Sequence, residues 1–268
     1  MSMPVTPKSD PNAQRKAPRK AAIPHAIAMV RTTIYSVTAT LWFLVMTALG
    51  LWSLLLPPHL ARSALLAWVW GDLVLLRLIV GQKTRVIGLE NRPEGGALIA
   101  AKHQAQWETM ALLPVFDRAV VVIKKELTRI PIYGWYALKF GMISGDRSAG
   151  AAALKKMAQD AQVAMHRGNQ LIIFPEGTRQ HVGAPPDYKP GAIFLYEKLK
   201  VPLVPVALNS GLLWPRHRFV RYPGTITISI LPPIPPGSPR AEVLAHLIDA
   251  VETETDRLVA EASNGSAA

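Results

Sequence analysis

From Thr32 to Leu56 the chain runs without a charged side chain, and most of that stretch is apolar. About 20 apolar residues in a helix cross the hydrocarbon core of a bilayer, so the stretch is long enough to span one. It is too long for the apolar region of a signal peptide, and no small-x-small exit follows it. The sequence therefore predicts a retained membrane helix. Pro57-Pro58 ends it, and a second apolar run, Ser63 to Val80, follows at once. Asp72 and Arg77 interrupt this second run, and charges are costly in mid-bilayer. They suit an interfacial helix, or one packed against the rest of the chain. Trp52, Trp68 and Trp70 fit an aromatic belt at headgroup level.

Basic residues flank both apolar runs: Arg31 before them, Arg62 between them, and Arg77, Lys83 and Arg85 at and beyond the second. A lone span would split these flanks across the bilayer, whereas the positive-inside rule favours both ends in the cytoplasm. A helical hairpin over residues 32–82, turning at Pro57-Pro58, is the expectation. It either spans the membrane or dips into one leaflet. Residues 1–31, rich in Pro, Lys and Arg, read as a disordered basic tail with little to bury.

Beyond Lys83 the pattern changes. Short apolar runs rich in β-branched residues predict strands at Arg85–Leu89, Ala97–Ala101, Ala119–Ile123, Gln170–Phe174, Leu203–Leu208 and Thr225–Leu231. Helical stretches lie between them: Glu108–Val115, Tyr133–Phe140, Ser148–Arg167 and Ile193–Lys200. A last helix, Pro239–Ala262, has Ser238 as its expected N-cap. Alternating strands and helices predict an α/β fold with a mostly parallel sheet flanked by helices, over residues 83–262. Residues 263–268 read as a frayed end.

The balance of charge limits the chemistry. Thirty Lys and Arg against eighteen Asp and Glu leave +12, which favours anionic partners: lipid headgroups, nucleic acid or phosphorylated substrates. With no cysteine in 268 residues, disulfides, Cys-based zinc sites and thiol acyl-enzymes are excluded. None of His25, His59, His166, His181, His217 and His246 has a carboxylate partner at metal-ligand spacing, and no H-E-x-x-H occurs.

Three segments hold the candidate chemistry. In KHQAQWET, His103 follows the strand Ala97–Ala101, and ligands bind at the C-terminal ends of strands in α/β sheets. Glu108, in the first turn of the next helix, can fold back toward the imidazole; such a pair fixes the tautomer and stabilises the imidazolium formed on proton abstraction. In LIIFPEGTR a buried strand runs into a turn. There Gly177 lets a ligand approach the backbone, Arg179 offers a planar fork for phosphate, and Glu176 can orient that fork. In IKKELTRIPIYGWYALKFGMISGDRS, Lys124 and Lys125 follow a strand and Arg147 opens a helix, a ready anion site.

Taken in order, these segments resemble the glycerolipid acyltransferase family, specifically its 1-acylglycerol-3-phosphate acyltransferases. The family's H-x4-D motif reads H-QAQW-E here, with Glu108 in the acid's place, as in a bacterial subset of the family. KKELTRIPIYGW with GMISGDRS resembles the second motif, FPEGTR the third and VPLVPVAL the fourth. The resemblance implies transfer of an acyl group from acyl-CoA or acyl carrier protein to the sn-2 hydroxyl of lysophosphatidate, giving phosphatidate. It makes His103 the general base and Glu108 its partner. Arg147, Glu176, Gly177, Thr178 and Arg179 would bind the glycerol phosphate, with Lys125 assisting. It implies no cofactor beyond the acyl donor, no metal and no nucleic acid. It also implies an N-terminal two-helix membrane motif, contact with membrane phospholipid, and the bacterial inner membrane as location, with the domain facing the cytoplasm. Two rivals remain: acylation of another lyso-lipid such as lyso-ornithine lipid, and a non-catalytic membrane protein that binds anionic lipid.

Overall fold

The computed structural model describes residues 23–145 and 150–265. Residues 1–22, most of the expected basic tail, lie outside it, as do 146–149 and 266–268.

Two long helices open the described chain, α1 (His25–Gly50) and α2 (Pro58–Leu75), and the second continues as a widened turn, Leu76–Val80. Helix α1 begins seven residues before the expected Thr32. Arg31 reads as a boundary in the sequence, yet it lies on the exposed side of the helix and does not interrupt it. Pro57 stands before α2 with Pro58 at its first position, where the missing N–H is no loss.

A seven-stranded sheet follows: β1 (Gln82–Ile87), β2 (Ala97–Ala101), β3 (Ala119–Lys124), β4 (Ile143–Gly145), β5 (Gln170–Ile173), β6 (Leu203–Leu208) and β7 (Gly224–Ile230). Their spatial order is β1-β7-β6-β2-β5-β3-β4. All neighbouring pairs are parallel except β6 with β7, so the sheet is mostly parallel, as the alternating pattern predicts. The helices of this part are α3 (Glu108–Ala111), α4 (Tyr133–Lys139), α5 (Gly150–His166), α6 (Gly191–Leu199), α7 (Ser210–Leu213) and α8 (Arg240–Gly265).

Strand β2 is buried along its whole length and divides two cores. Ala97, Ile99 and Ala101 face α1, α2 and the α3 segment, whereas Leu98 and Ala100 face α5, α6 and α8. The hairpin thus serves as one helical layer of the domain. A stripe of α2 and its extension, Ala61, Val69, Asp72, Leu76 and Val80, is buried against the rest of the chain. At about 1.5 Å per residue this stripe covers nearly 30 Å of contact. Arg62, near its start, donates to the carbonyls of Ala119 (2.9 Å) and Leu113 (3.4 Å).

Asp72, expected to favour an interfacial or a packed helix, is packed. It accepts a hydrogen bond from Tyr35 (2.9 Å). Arg221 lies 4.0 Å from the Trp214 ring centre and 4.9 Å from that of Tyr35. Helix α1 is also held near both ends. Thr32 Oγ1 accepts the Arg221 N–H (3.0 Å), and Tyr136 donates to the Thr47 carbonyl (3.2 Å). The outer sides of both helices leave large apolar residues exposed, among them Leu41, Leu44, Leu49, Trp52, Trp70 and Leu78. Trp68 does not share that exposure: it packs edge-on against Phe43, and its carbonyl accepts from Trp42 Nε1 (3.0 Å).

Several boundaries depart from expectation for local reasons. β1 starts at Gln82, directly after Gly81, whose φ of +85° turns the chain out of the helix. The helix at Glu108 stops at Ala111 and continues as turns. The hydroxyl of Ser238 donates to Pro235 (3.4 Å) and does not cap α8, whose first amide bond goes to the Pro239 carbonyl (3.0 Å). Helix α8 runs on to Gly265, through the first half of the segment that reads as frayed; the rest lies outside the described residues.

Candidate active site

Five parallel strands, β2 to β6, end on one edge of the sheet, and the candidate residues follow directly from those ends. β2 and β5 are neighbours, with Ala100 opposite Ile173. This pairing sets Lys102-His103 beside the turn that follows Phe174.

The backbone of His103 is gripped by that turn. Its N–H donates to Glu176 Oε2 (3.1 Å), and its carbonyl accepts the Gln180 N–H (2.7 Å). The imidazole stacks on Phe174, with ring centres 4.1 Å apart and planes inclined by 20°. Nδ1 lies 3.0 Å from Glu108 Oε1. Among the described residues no group hydrogen-bonds Nε2, and the His103 side chain is 13% exposed.

Glu108 is wholly buried and densely bonded. Its Oε1 also accepts the N–H groups of Gln104 and Ala105, both at 2.6 Å, while Oε2 accepts the Ser210 hydroxyl at 2.9 Å. A carboxylate in the first turn of a helix is well placed to take up N–H groups that lack an intrahelical partner. The result is a rigid loop, Gln104–Trp107, that fixes where the imidazole sits. Ser210 is absent from the sequence expectations. The one signal available was its place two residues beyond strand β6, on the same sheet edge as His103.

Glu176 lies differently from the expectation that it orients Arg179 or meets the acceptor. It is buried, and both oxygens are engaged: Oε1 by Lys102 Nζ (2.7 Å), Oε2 by the His103 N–H. Lys102 bridges on to Glu252 of α8 (2.7 Å), which also accepts from Tyr188 (2.9 Å). Burial pushes the Glu176 carboxyl above the usual carboxylate range, with the neighbouring Lys102 ammonium opposing that shift. Burial and the Glu252 carboxylate likewise raise the Tyr188 phenol. Glu176 therefore ties the ends of β2 and β5 together.

Gly177 has φ +65°, the left-handed region that suits glycine, and its N–H donates back to Phe174 (2.9 Å). The turn brings Thr178 to the surface and leaves Arg179 half-buried. Lys125 is exposed just past β3, the strand beside β5. Arg147 lies outside the described residues; β4, on the same edge beyond β3, ends at Gly145.

Comparison with known proteins bears on the whole arrangement. An acyltransferase family model matches residues 83–209, from β1 to the end of β6. A 1-acyl-sn-glycerol-3-phosphate acyltransferase of Pseudomonas aeruginosa is 32% identical over 241 residues, 87% of this chain and 94% of its own. One of Limnanthes douglasii is 30% identical over 208 residues, 75% of this chain and 70% of its own. The crystal structure of the 1-acyl-sn-glycerophosphate acyltransferase of Thermotoga maritima superposes with a TM-score of 0.72 at 22% identity, covering 85% of this chain and 95% of that one. That likeness shows a shared fold, including the mostly parallel sheet and its helices. With a relative of this identity aligned over nearly its full length, the chain is a member of the acyltransferase family.

Proposed function

We propose that this chain transfers an acyl group from acyl-CoA or acyl carrier protein to the sn-2 hydroxyl of 1-acylglycerol-3-phosphate, forming phosphatidate. The observation that carries the reading is the His103–Glu108 pair, an imidazole locked by a buried carboxylate at a strand end. The names of the Pseudomonas and Limnanthes relatives support the choice of acceptor.

In this reading His103 Nε2 takes the proton of the sn-2 hydroxyl as its oxygen attacks the thioester carbonyl. The tetrahedral intermediate collapses, the C–S bond breaks, and the sulfur leaves as a thiol with the proton held by His103. Glu108 keeps the imidazole in one orientation and stabilises its positive charge. No acyl-enzyme is needed, in keeping with a chain that has no cysteine. Arg179, Arg147 and Lys125 bind the acceptor phosphate, Gly177 and Thr178 shape the turn around it, and Glu176 positions His103 from behind. The exposed apolar sides of α1 and α2 rest in one leaflet of the cytoplasmic face of the bacterial inner membrane. The packing of α2 along the domain supports that placement over a spanning hairpin, which would draw the domain into the bilayer.

The test is an acceptor screen with purified full-length protein in vesicles and labelled acyl-CoA or acyl carrier protein. Lysophosphatidate is expected to be the preferred acceptor. Acylation of lyso-ornithine lipid alone would move the reading to that substrate, and absence of any thioester turnover would leave a lipid-binding protein.

A further inference from the structure

Between β3 and β4 the chain makes an excursion, Lys125–Lys139, that leaves large apolar side chains in the open. Ile130 is 48% exposed, Trp135 57% and Leu138 62%. Trp135 and Leu138 stand three apart on α4 and so share a side of that helix, while Gly134 and Ala137 are buried. Such a short apolar face has no folding purpose of its own.

The segment is held rigidly in this pose. Ile132 has φ +66° and ψ −58°, and the Tyr133 N–H donates to the Pro131 carbonyl (2.7 Å). This is a γ-turn of positive φ, rare and strained, and more so for a β-branched residue. A Cβ on Gly134 would stand 2.1 Å from the Thr128 carbonyl oxygen, so only glycine allows helix and preceding turn to pack this closely. Strain maintained by tight surroundings marks a segment whose orientation matters.

Two observations identify what covers the face. First, α4 adjoins the far end of α1: Tyr136 donates to the Thr47 carbonyl, and its hydroxyl occupies the space a Cβ on Gly50 would need. Helix α4 therefore stands beside the end of the hairpin where Leu49, Leu51 and Trp52 are exposed. Second, the segment is basic along the chain: Lys124, Lys125 and Arg129, all exposed, precede the apolar residues and Lys139 ends α4. Apolar and aromatic residues flanked by basic ones suit the headgroup boundary of an anionic leaflet.

We propose that Ile130–Lys139 is a third membrane-contacting element, which docks into an anionic phospholipid leaflet beside the hairpin. Because the segment leaves from the end of β3, on the sheet edge that carries His103, it seats the mouth of the site at the leaflet surface. The inference rests on the reading that the hairpin itself is membrane-embedded.

A chain with no cysteine permits a direct test by single-cysteine labelling. Full-length Leu138→Cys, Leu44→Cys on α1 and Val163→Cys on α5 are each coupled to an environment-sensitive fluorophore. They are mixed with phosphatidylglycerol–phosphatidylethanolamine vesicles that contain lipids with a quencher on the acyl chain. The proposal expects a blue shift and quenching at Leu138 and Leu44, with Val163, 51% exposed on the opposite helical layer, remaining in water. Trp135→Glu with Leu138→Glu should weaken vesicle partitioning about tenfold or more, the effect of losing one or two buried apolar side chains. Leu44 immersed with Leu138 in water would overturn this proposal and leave the hairpin reading standing; both in water would overturn both. A blue shift at Leu138 without vesicles, growing with protein concentration, would place a second copy of the chain on this face and also overturn it.

Discussion

The hydroxyl of Ser210 donates to Glu108 Oε2 at 2.9 Å, on the side of the carboxylate away from the His103 imidazole. A residue beyond the end of β6 thereby fixes the carboxylate that holds the His103 imidazole beyond the end of β2. Ser210→Ala removes the hydrogen bond and leaves a buried carboxylate oxygen unsatisfied, a change of about 1.5–3 kcal/mol. The expected result is a fall in kcat of about tenfold or more, with KM for the acceptor little changed. Glu108→Asp retracts the carboxylate by one methylene, so it cannot keep Ser210 and Nδ1 together. Its loss and that of Ser210→Ala should therefore not add in the double variant. Strict additivity of the two losses in initial-rate measurements would show that the contact does not couple to the reaction.

Glu176→Gln tests the buried bridge. The substitution leaves Lys102 with Glu252 as its remaining carboxylate and turns an amide toward a donor. Stranding a buried charge outright costs about 3–5 kcal/mol; with Glu252 still paired to Lys102 the loss is smaller, and the melting temperature should fall by a few degrees. Thermal unfolding of the purified protein reads this out, and an unchanged midpoint would remove Glu176 from its structural role.

Arg179→Ala should chiefly affect the phosphorylated acceptor. A hydrogen bond to a charged group is worth about 1.5–3 kcal/mol, which corresponds to a loss of about 10- to 100-fold in kcat/KM. Kinetics measured against lysophosphatidate and against a phosphate-free lyso-lipid separate phosphate binding from general damage. Equal losses on both acceptors would count against the role.

Arg221→Met tests the attachment of the hairpin. The guanidinium stacks on Trp214 and bonds the Ser36 hydroxyl (3.3 Å), and desolvated contacts of these kinds are together worth about 2–4 kcal/mol. The variant should unfold at lower temperature and admit protease between α2 and β1 while acyl transfer persists at low temperature. Protease resistance equal to that of the unchanged protein would mean the hairpin is held elsewhere.

Much of this arrangement was legible in the residues. The runs at Ala97–Ala101, Gln170–Phe174 and Leu203–Leu208 are short, continuous and apolar because their strands are covered on both faces, and a parallel sheet then follows. His103 and Glu108 stood out because their spacing lets the acid fold back. Less visible was whatever depends on pairing between distant segments. Lys102 and Glu176 belong to two different motifs, and only the alignment of β2 with β5 turns them into a buried bridge. Ser210 reaches Glu108 from 102 residues away, and only its place just beyond a strand end hints at that serine. Strand β4 escaped notice because Ile143–Gly145 is three residues long and ends in glycine. The hairpin read as membrane helices, whereas its place over one face of the sheet depends on the stripe from Ala61 to Val80 meeting a core built much later in the chain.

The central claim is that His103 is the base, and His103→Ala tests it most directly. The measurement is the initial rate of acyl transfer from labelled acyl-CoA to lysophosphatidate by vesicle-bound protein whose unfolding midpoint matches that of the unchanged chain. A positioned general base contributes about 10²- to 10⁴-fold, so the rate should fall by at least about a hundredfold with vesicle binding intact. A variant that keeps more than about a tenth of the rate, well short of the loss a general base implies, would contradict the assignment.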